Sequence, residues 1–253
     1  KFDKYFYSLK KKKFQRISTL IPKKTISMNW HSIGEYVRRK KKDALVIDFG
    51  STTTDFLCIK NGIIMNQNFS DFSRLNSGEL IYTGLMRTPI FALDKFIEIN
   101  SKKFFIIPEF FSNMSDVYRI NKKLKKSFDI ENEVDFSGKE IKNSLVRLSR
   151  SFGIDFKNKN KNLLFKLSKK LIENQVCLIE NNINKLKKKY RLNKNIPIIL
   201  SGIGQDVLNE FLQQKNIIFL KELVEGTSNK VSKEATYHAP ALCIANLLDD
   251  FIK

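Results

Sequence analysis

The sequence predicts an α/β protein in which a mixed sheet is flanked by helices, and three observations carry that prediction. Residues 44–47 and 196–200 are short, apolar, largely β-branched runs of the kind buried on both faces of a sheet. Asn61-Gly62 between two extended runs is the strongest short hairpin signal in the chain. Leu163, Leu164, Leu167, Leu171, Ile172, Ile179 and Ile183 recur at three- and four-residue spacing, which predicts one long amphipathic helix over 161–189.

Taken in order, a helix over 29–39 leads into the strand 44–47, which ends in Asp48. Gly50-Ser51-Thr52-Thr53-Thr54 makes a tight turn, 55–59 returns as a second strand, and 63–68 completes a meander. Residues 71–89 carry Gly78, Gly84 and Pro89 and read as a structured loop with short extended pieces, a style common in functional loops. A strand pair over 96–99 and 104–107, a short helix at 115–120, a Lys-rich connector over 121–135 and a helix over 139–151 follow. Beyond the long helix, the strand 196–200 closes in Ser201-Gly202-Ile203-Gly204. A helix over 205–214, a strand over 217–220 and a final helix over 233–252, with Pro240 near its first turns, end the chain.

Composition excludes several classes. With 253 residues, 42% hydrophobic and 28% charged, the chain is neither a disordered tail nor a fibre. No run approaches the roughly 18 to 20 apolar residues that span a bilayer. The net charge of +20 invites a nucleic-acid reading, but 37 of the 46 basic residues are Lys. The Lys runs at 10–13, 40–42 and 187–189 lie at segment ends without interleaved aromatics, which favours solvated faces over a nucleic-acid surface. Cys58, Cys177 and Cys243 are odd in number, far apart and set in apolar stretches, so they read as reduced core residues of a cytoplasmic protein. The chain opens on Lys1 without the apolar core of a signal peptide, and the expectation is a sequence that starts inside a longer protein.

The chemistry concentrates in Asp48-Phe49-Gly50-Ser51-Thr52-Thr53-Thr54-Asp55. A carboxylate at the end of a buried strand, then Gly and small hydroxyl residues in a turn, provides N–H and O–H donors for phosphoryl oxygens beside a magnesium-organising acid. The weaker second signal is Ser201-Gly202-Ile203-Gly204 before a helix, where a ligand can approach the backbone.

These segments carry a resemblance. The run VIDFGSTTTDFLCIKNG resembles the second phosphate hairpin of the actin, sugar-kinase and Hsp70 ATPase superfamily, and PIILSGIG resembles its adenosine-side glycine motif. SGELIYTGLMRTPI at 77–90, Met28-Asn29-Trp30, PEFFSNMSDVYRI at 108–120 and the terminal HAPALCIANLL are similar to the hydantoinase/oxoprolinase-type proteins of the tetrahydromethanopterin-linked one-carbon pathway. Archaeal members of that family condense the units of methanofuran. The resemblance runs from about Ser27 to the C-terminus, leaving 1–26 as a basic lead-in and 27–253 as the phosphate-binding domain. The family's earlier Asp-x-Gly-Gly turn has no counterpart before Ile47. The implied fold is therefore the second, ribonuclease H-like lobe of an actin-like ATPase, with an N-terminal lobe lacking.

The resemblance implies a transferase in which the phenolic oxygen of γ-glutamyl-tyramine displaces diphosphate from an aminomethyl-furan-methyl diphosphate. Asp48 would organise Mg²⁺, and Gly50, Ser51, Thr52, Thr53 and Thr54 with Gly202 and Gly204 would hold the phosphates. Arg87 and Glu79 are the charged candidates for catalysis; Arg87 suits a phosphate or carboxylate, against a salt bridge with Glu79 or Asp94. Tyr82 and Thr83 either line the pocket or pack. His238 reads as structural before general base, Asp116, Tyr118 and Arg119 as a solvated or interdomain face, and Trp30 as a packing residue. The expected partners are small molecules, with no membrane, and a homo-oligomer stays open. Two rival readings are an ATP-dependent small-molecule kinase or amide hydrolase on the same hairpin, and a non-catalytic basic nucleic-acid-binding protein.

Overall fold

The structure, a computed structural model, describes residues 4–8, 13–16, 29–225 and 229–252. Most of the predicted lead-in, the greater part of the first Lys run and Met28 lie outside them. Within the lead-in, β1 (Tyr5–Ser8) and β2 (Lys13–Arg16) pair as an antiparallel hairpin.

The frame is a six-stranded mixed sheet. Helix α1 (Asn29–Lys40) precedes β3 (Ala44–Phe49), β4 (Thr54–Lys60) and β5 (Ile63–Ile64); α2 (Asp71–Ser77) and β6 (Leu80–Ile81) follow. A separate hairpin, β7 (Phe96–Ile99) and β8 (Lys102–Phe105), leads to α3 (Met114–Ile120), α4 (Ile141–Ser151) and the long α5 (Lys161–Lys189). The chain ends with β9 (Ile198–Ser201), α6 (Gln205–Phe211), β10 (Ile217–Phe219), α7 (Asn229–Ala235) and α8 (Ala239–Ile252). The sheet order is β10-β9-β3-β4-β5, with β6 on the same side of β4 as β5 but at its other end. Strands β10, β9 and β3 are parallel, and β4 turns back antiparallel to β3.

Both faces of β3 are covered, so all six of its residues are buried. Leu45, Ile47 and Phe49 join Phe56, Cys58, Ile198 and Leu200 in the core under α5. Ala44 and Val46 join Leu57, Ile59, Ile199 and Cys243 under α1 and α8. The period of two therefore puts Asp48, Asp55 and Ser201 on the α1/α8 face, side by side on three strands, with Asp48 in register with both others. Helix α5 has the predicted boundaries because Leu164, Leu167, Leu171, Ile172, Ile179 and Ile183 all bury.

Several expectations change. The third strand stops at Ile64 rather than at 68: Asn66 replaces the ladder, accepting from the Cys58 amide (2.8 Å) and donating to the Phe56 carbonyl (2.8 Å). The predicted loop 71–89 contains α2, started by the Ser70 cap and ended by Gly78 at φ 79°. It was missed because Phe72 and Leu75 are exposed and no apolar stripe betrays it. Asn100 and Ser101 both take positive φ, so the hairpin turn is tight and its second strand is 102–105 instead of 104–107. The final helix divides at Thr236–His238, since Pro240 offers no N–H to the Thr236 carbonyl, which accepts from the Gly202 amide instead (3.0 Å). Cys58 and Cys243 are buried as expected, but Cys177 is exposed on α5. Among the described residues no helix is long and apolar enough to cross a membrane.

Candidate functional site

The β3–β4 turn is closed by a hydrogen bond from the Gly50 amide to the Thr53 carbonyl (2.9 Å). The Gly50 and Ser51 carbonyls are taken by the segment 83–88. The Leu85 amide donates to Gly50 (2.9 Å), and the Met86 and Arg87 amides both donate to Ser51 (3.0 Å each). Thr54 donates its hydroxyl to the Thr83 carbonyl (2.7 Å). Gly84 is required here: a Cβ would stand 2.5 Å from the Ser51 carbonyl carbon and the Thr52 nitrogen. Gln175, buried on α5, donates to Thr83 Oγ1 (2.8 Å) and the Gly84 carbonyl (2.9 Å), and is itself held by the Tyr118 hydroxyl (2.6 Å). The result is a turn with its Gly50, Ser51 and Thr53 carbonyls tied back. The amides of Ser51, Thr52 and Thr53 donate to no oxygen among the described residues. Successive free N–H groups beside small hydroxyls form an anion-binding concavity.

Asp48 lies just before the turn, 8% exposed, and accepts from Ser201 Oγ at 2.9 Å. Burial first, then the charge of Asp55 across the strand, push its carboxyl up to about 7, with the Ser201 hydroxyl pulling back. Burial also raises Asp55, opposed by the Arg74 guanidinium that pairs with it. Arg74 is buried and stacks on the Trp30 indole, 3.7 Å from the ring centroid, so Trp30 does more than pack. Among the described residues no three carboxylates, imidazoles or thiols converge as a metal cage. The donor set of one buried acid with neighbouring hydroxyls fits Mg²⁺ in the form in which phosphate oxygens and water fill most of its shell.

The turn opens into a groove of about 1660 Å³ lined by Gly50, Ser51, Arg87, Lys125, Phe128 and Tyr237, among others. Of the sequence candidates, His238 also lines it. Arg87 does so while paired with Glu131 rather than with Glu79 or Asp94.

Other candidates lie elsewhere. Glu79 is fully buried, accepts from Asn68 Nδ2 (2.8 Å) and from the Tyr190 hydroxyl, and lies 3.5 Å from Lys189 Nζ; it is not among the groove's lining residues. Tyr82 is exposed and donates to Asp71 (3.1 Å), while Thr83 is buried in the support of the turn. Gly202 and Gly204 have committed amides, to Thr236 (3.0 Å) and Phe49 (2.9 Å). Their lack of a Cβ serves contact with β3, where a Cβ on Gly202 would stand 2.5 Å from the Phe49 carbonyl oxygen. The expected solvated face of Asp116, Tyr118 and Arg119 is instead buried, because Arg147 and Asp129 neutralise its charges from α4 and the connector. Arg74, Gln175, Lys125 and Tyr237 escaped the sequence reading. Only Gln175 left a clear signal there, as a polar residue in the apolar stripe of α5.

No family model matches the chain. It is 29% identical over 221 residues to the (4-{4-[2-(gamma-L-glutamylamino)ethyl]phenoxymethyl}furan-2-yl)methanamine synthase of Methanocaldococcus jannaschii, covering 87% of this chain and 64% of that protein. To the synthase of the same name from Methanococcus vannielii it is 27% identical over 213 residues, 82% of this chain and 91% of the relative. Among solved structures, Bacillus thuringiensis ParM with ADP aligns at TM-score 0.32 and 12% identity, over 83% of this chain and 48% of ParM. ParM with AMPPNP aligns at TM-score 0.33 with the same identity and coverage. The chain thus spans just under two thirds of the first synthase and most of the second.

Proposed function

We propose that the chain is the diphosphate-binding part of a transferase of methanofuran-like cofactor biosynthesis, joining γ-glutamyl-tyramine to an aminomethyl-furan-methyl diphosphate. The reading rests on one observation above all: a strand-end turn whose Gly50, Ser51 and Thr53 carbonyls are tied back, whose Ser51, Thr52 and Thr53 amides are left to donate, and whose Gly50 and Ser51 line a groove. The similarity to two synthases of that product supports it. In the reaction the phenolic oxygen forms a bond to the furan methylene carbon, the bond from that carbon to the diphosphate oxygen breaks with its electron pair, and the phenolic proton is released.

The amides of Ser51, Thr52 and Thr53 and the hydroxyls beside them stabilise the charge that grows on the leaving diphosphate. Asp48 would hold Mg²⁺, which when bound would supply positive charge against the leaving diphosphate. Arg87 exchanges Glu131 for a phosphate oxygen, a contact its planar fork suits. Glu79, walled into the core, supports the segment behind the turn rather than touching substrate. The hydantoinase/oxoprolinase-type ancestry and a cytoplasmic setting belong to the same reading.

The test is the melting temperature of the chain with and without magnesium diphosphate, beside Asp48→Asn. A ligand that binds only the folded state raises stability with its concentration over Kd. The expected result is a rise in the parent that disappears in the variant, and diphosphate release from the furan substrate without any nucleotide. ATP hydrolysis with a small acceptor, or no response to diphosphate, would replace this reading.

A further inference from the structure

The groove is larger than the roughly 300–1,000 Å³ of ordinary single-ligand pockets, at about 1660 Å³. The phosphate turn contributes Gly50 and Ser51 to its lining, which leaves most of the wall to other elements. Part of that wall is aromatic. Phe128, from the connector, meets Tyr237 edge to face with centroids 4.8 Å apart. The Lys125 ammonium lies 4.4 Å from the Tyr237 centroid and 5.7 Å from that of Phe128. It is fixed there by Asp206 Oδ2 at 2.7 Å and by a hydrogen bond to the Tyr237 hydroxyl. Lys233 also approaches Asp206, at 3.4 Å, so two ammonium groups share one carboxylate and the corner carries net positive charge.

We infer that Lys125, Phe128 and Tyr237 form the seat of an aromatic alcohol, with the Lys125 ammonium addressed to its hydroxyl oxygen. The rings supply an apolar, edge-presenting surface for another ring. The ammonium already makes, with Tyr237, the contact to a phenolic oxygen that the ligand would make. Its positive charge favours an oxygen that gains negative charge as its proton leaves. Identifying this alcohol with the acceptor of the condensation rests on the function proposed above; the seat itself rests on the groove.

The experiment measures binding of N-acetyltyramine and of N-acetylphenethylamine, which lacks the hydroxyl, to the whole chain by calorimetry. The parent, Lys125→Met and Phe128→Ala are compared, with the magnesium diphosphate melting shift recorded for each. Lys125 is half exposed, so its substitution leaves the fold intact, and Lys125→Gln serves as a second variant. The parent binds the phenol about tenfold more tightly, the size expected of a hydrogen bond to a charged group. Lys125→Met erases that preference, Phe128→Ala weakens both ligands, and neither alters the diphosphate shift. Equal binding of the two ligands by the parent, or a preference that survives in Lys125→Met and Lys125→Gln, overturns the seat. If the preference follows Lys125 while diphosphate has no effect, the seat stands and the condensation reading falls. If diphosphate binds and the preference ignores Lys125, the reverse holds.

Discussion

Asp48 and Asp55 face each other across β3 and β4, and one guanidinium, that of Arg74, pairs with Asp55. In a second group Asp116, Asp129 and Asp135 meet Arg119, Arg147, Arg150 and Lys139, so that every carboxylate has a cationic partner. The consequence shows in the protonation of each. Asp48 is pushed up to about 7, whereas Asp135, despite burial that would raise it, is held at about 2 by the Ser137 hydroxyl and the Arg147 guanidinium. The fully paired cluster holds shape: it fixes the connector that delivers Lys125, Phe128 and Glu131 to the groove. The Asp48–Asp55 pair sets two buried carboxyls against one guanidinium at the end of a strand, beside the turn with the free amides, where burial and like charge cost stability.

The largest effect expected is from Arg147→Met, which takes from buried Asp116 its multiply hydrogen-bonded partner, leaving Arg119 alone, and removes a partner of Asp135 as well. Urea unfolding should show a loss of about 3–5 kcal/mol. A loss below about 1 kcal/mol would mean that the cluster does not hold the connector.

Asp48→Asn should move stability the other way. A carboxyl raised in the folded state contributes fully below its unfolded value near 3.8 and loses that contribution as pH rises through about 7. The amide variant should therefore exceed the parent by about 2 kcal/mol at pH 8, and the gap should shrink as pH falls toward 4. Equal unfolding midpoints at pH 8 would place Asp48 in a solvated environment and remove the contrast between the two regions.

Asp135→Asn is the mirror case. A depressed carboxyl stabilises above its unfolded value, and that contribution is lost as pH falls toward about 2. The variant should cost about 1–2 kcal/mol at pH 7 and nothing near pH 2, read from denaturation at both. A pH-independent cost would assign the residue to packing alone. The smallest effect is expected of Glu131→Gln, whose pair with Arg87 is exposed by 38% and 53%. Thermal melting should change by less than about 0.5 kcal/mol, and a larger drop would make the pair part of the connector's anchorage.

Much of the fold was legible because it is local. Helix α5 could be bounded from the spacing of its leucines and isoleucines, and the β3–β4 hairpin from two apolar runs about a Gly-Ser-Thr turn. The turn was also legible as a donor-rich loop, since small hydroxyls come with the residue types. Helix α2 was not, having no buried stripe, and neither was the role of Gly202 and Gly204, whose amides are spent on Thr236 and Phe49. Glu79 and Arg87 look alike as charges in one loop; burial separates them, with one in the core and the other on the groove.

Residue order along the chain is enough for the long helix α5, the central hairpin and the donor-rich turn, because each depends on neighbours a few positions away. The row of Asp48, Asp55 and Ser201, the support of the turn by Gln175, and the corner of Lys125, Asp206 and Tyr237 come only from the folded chain. They join residues up to 153 positions apart, as Ser201 joins Asp48. Local alternation says which face each side chain takes, but which strands lie side by side is decided by tertiary contacts between residues far apart in the chain.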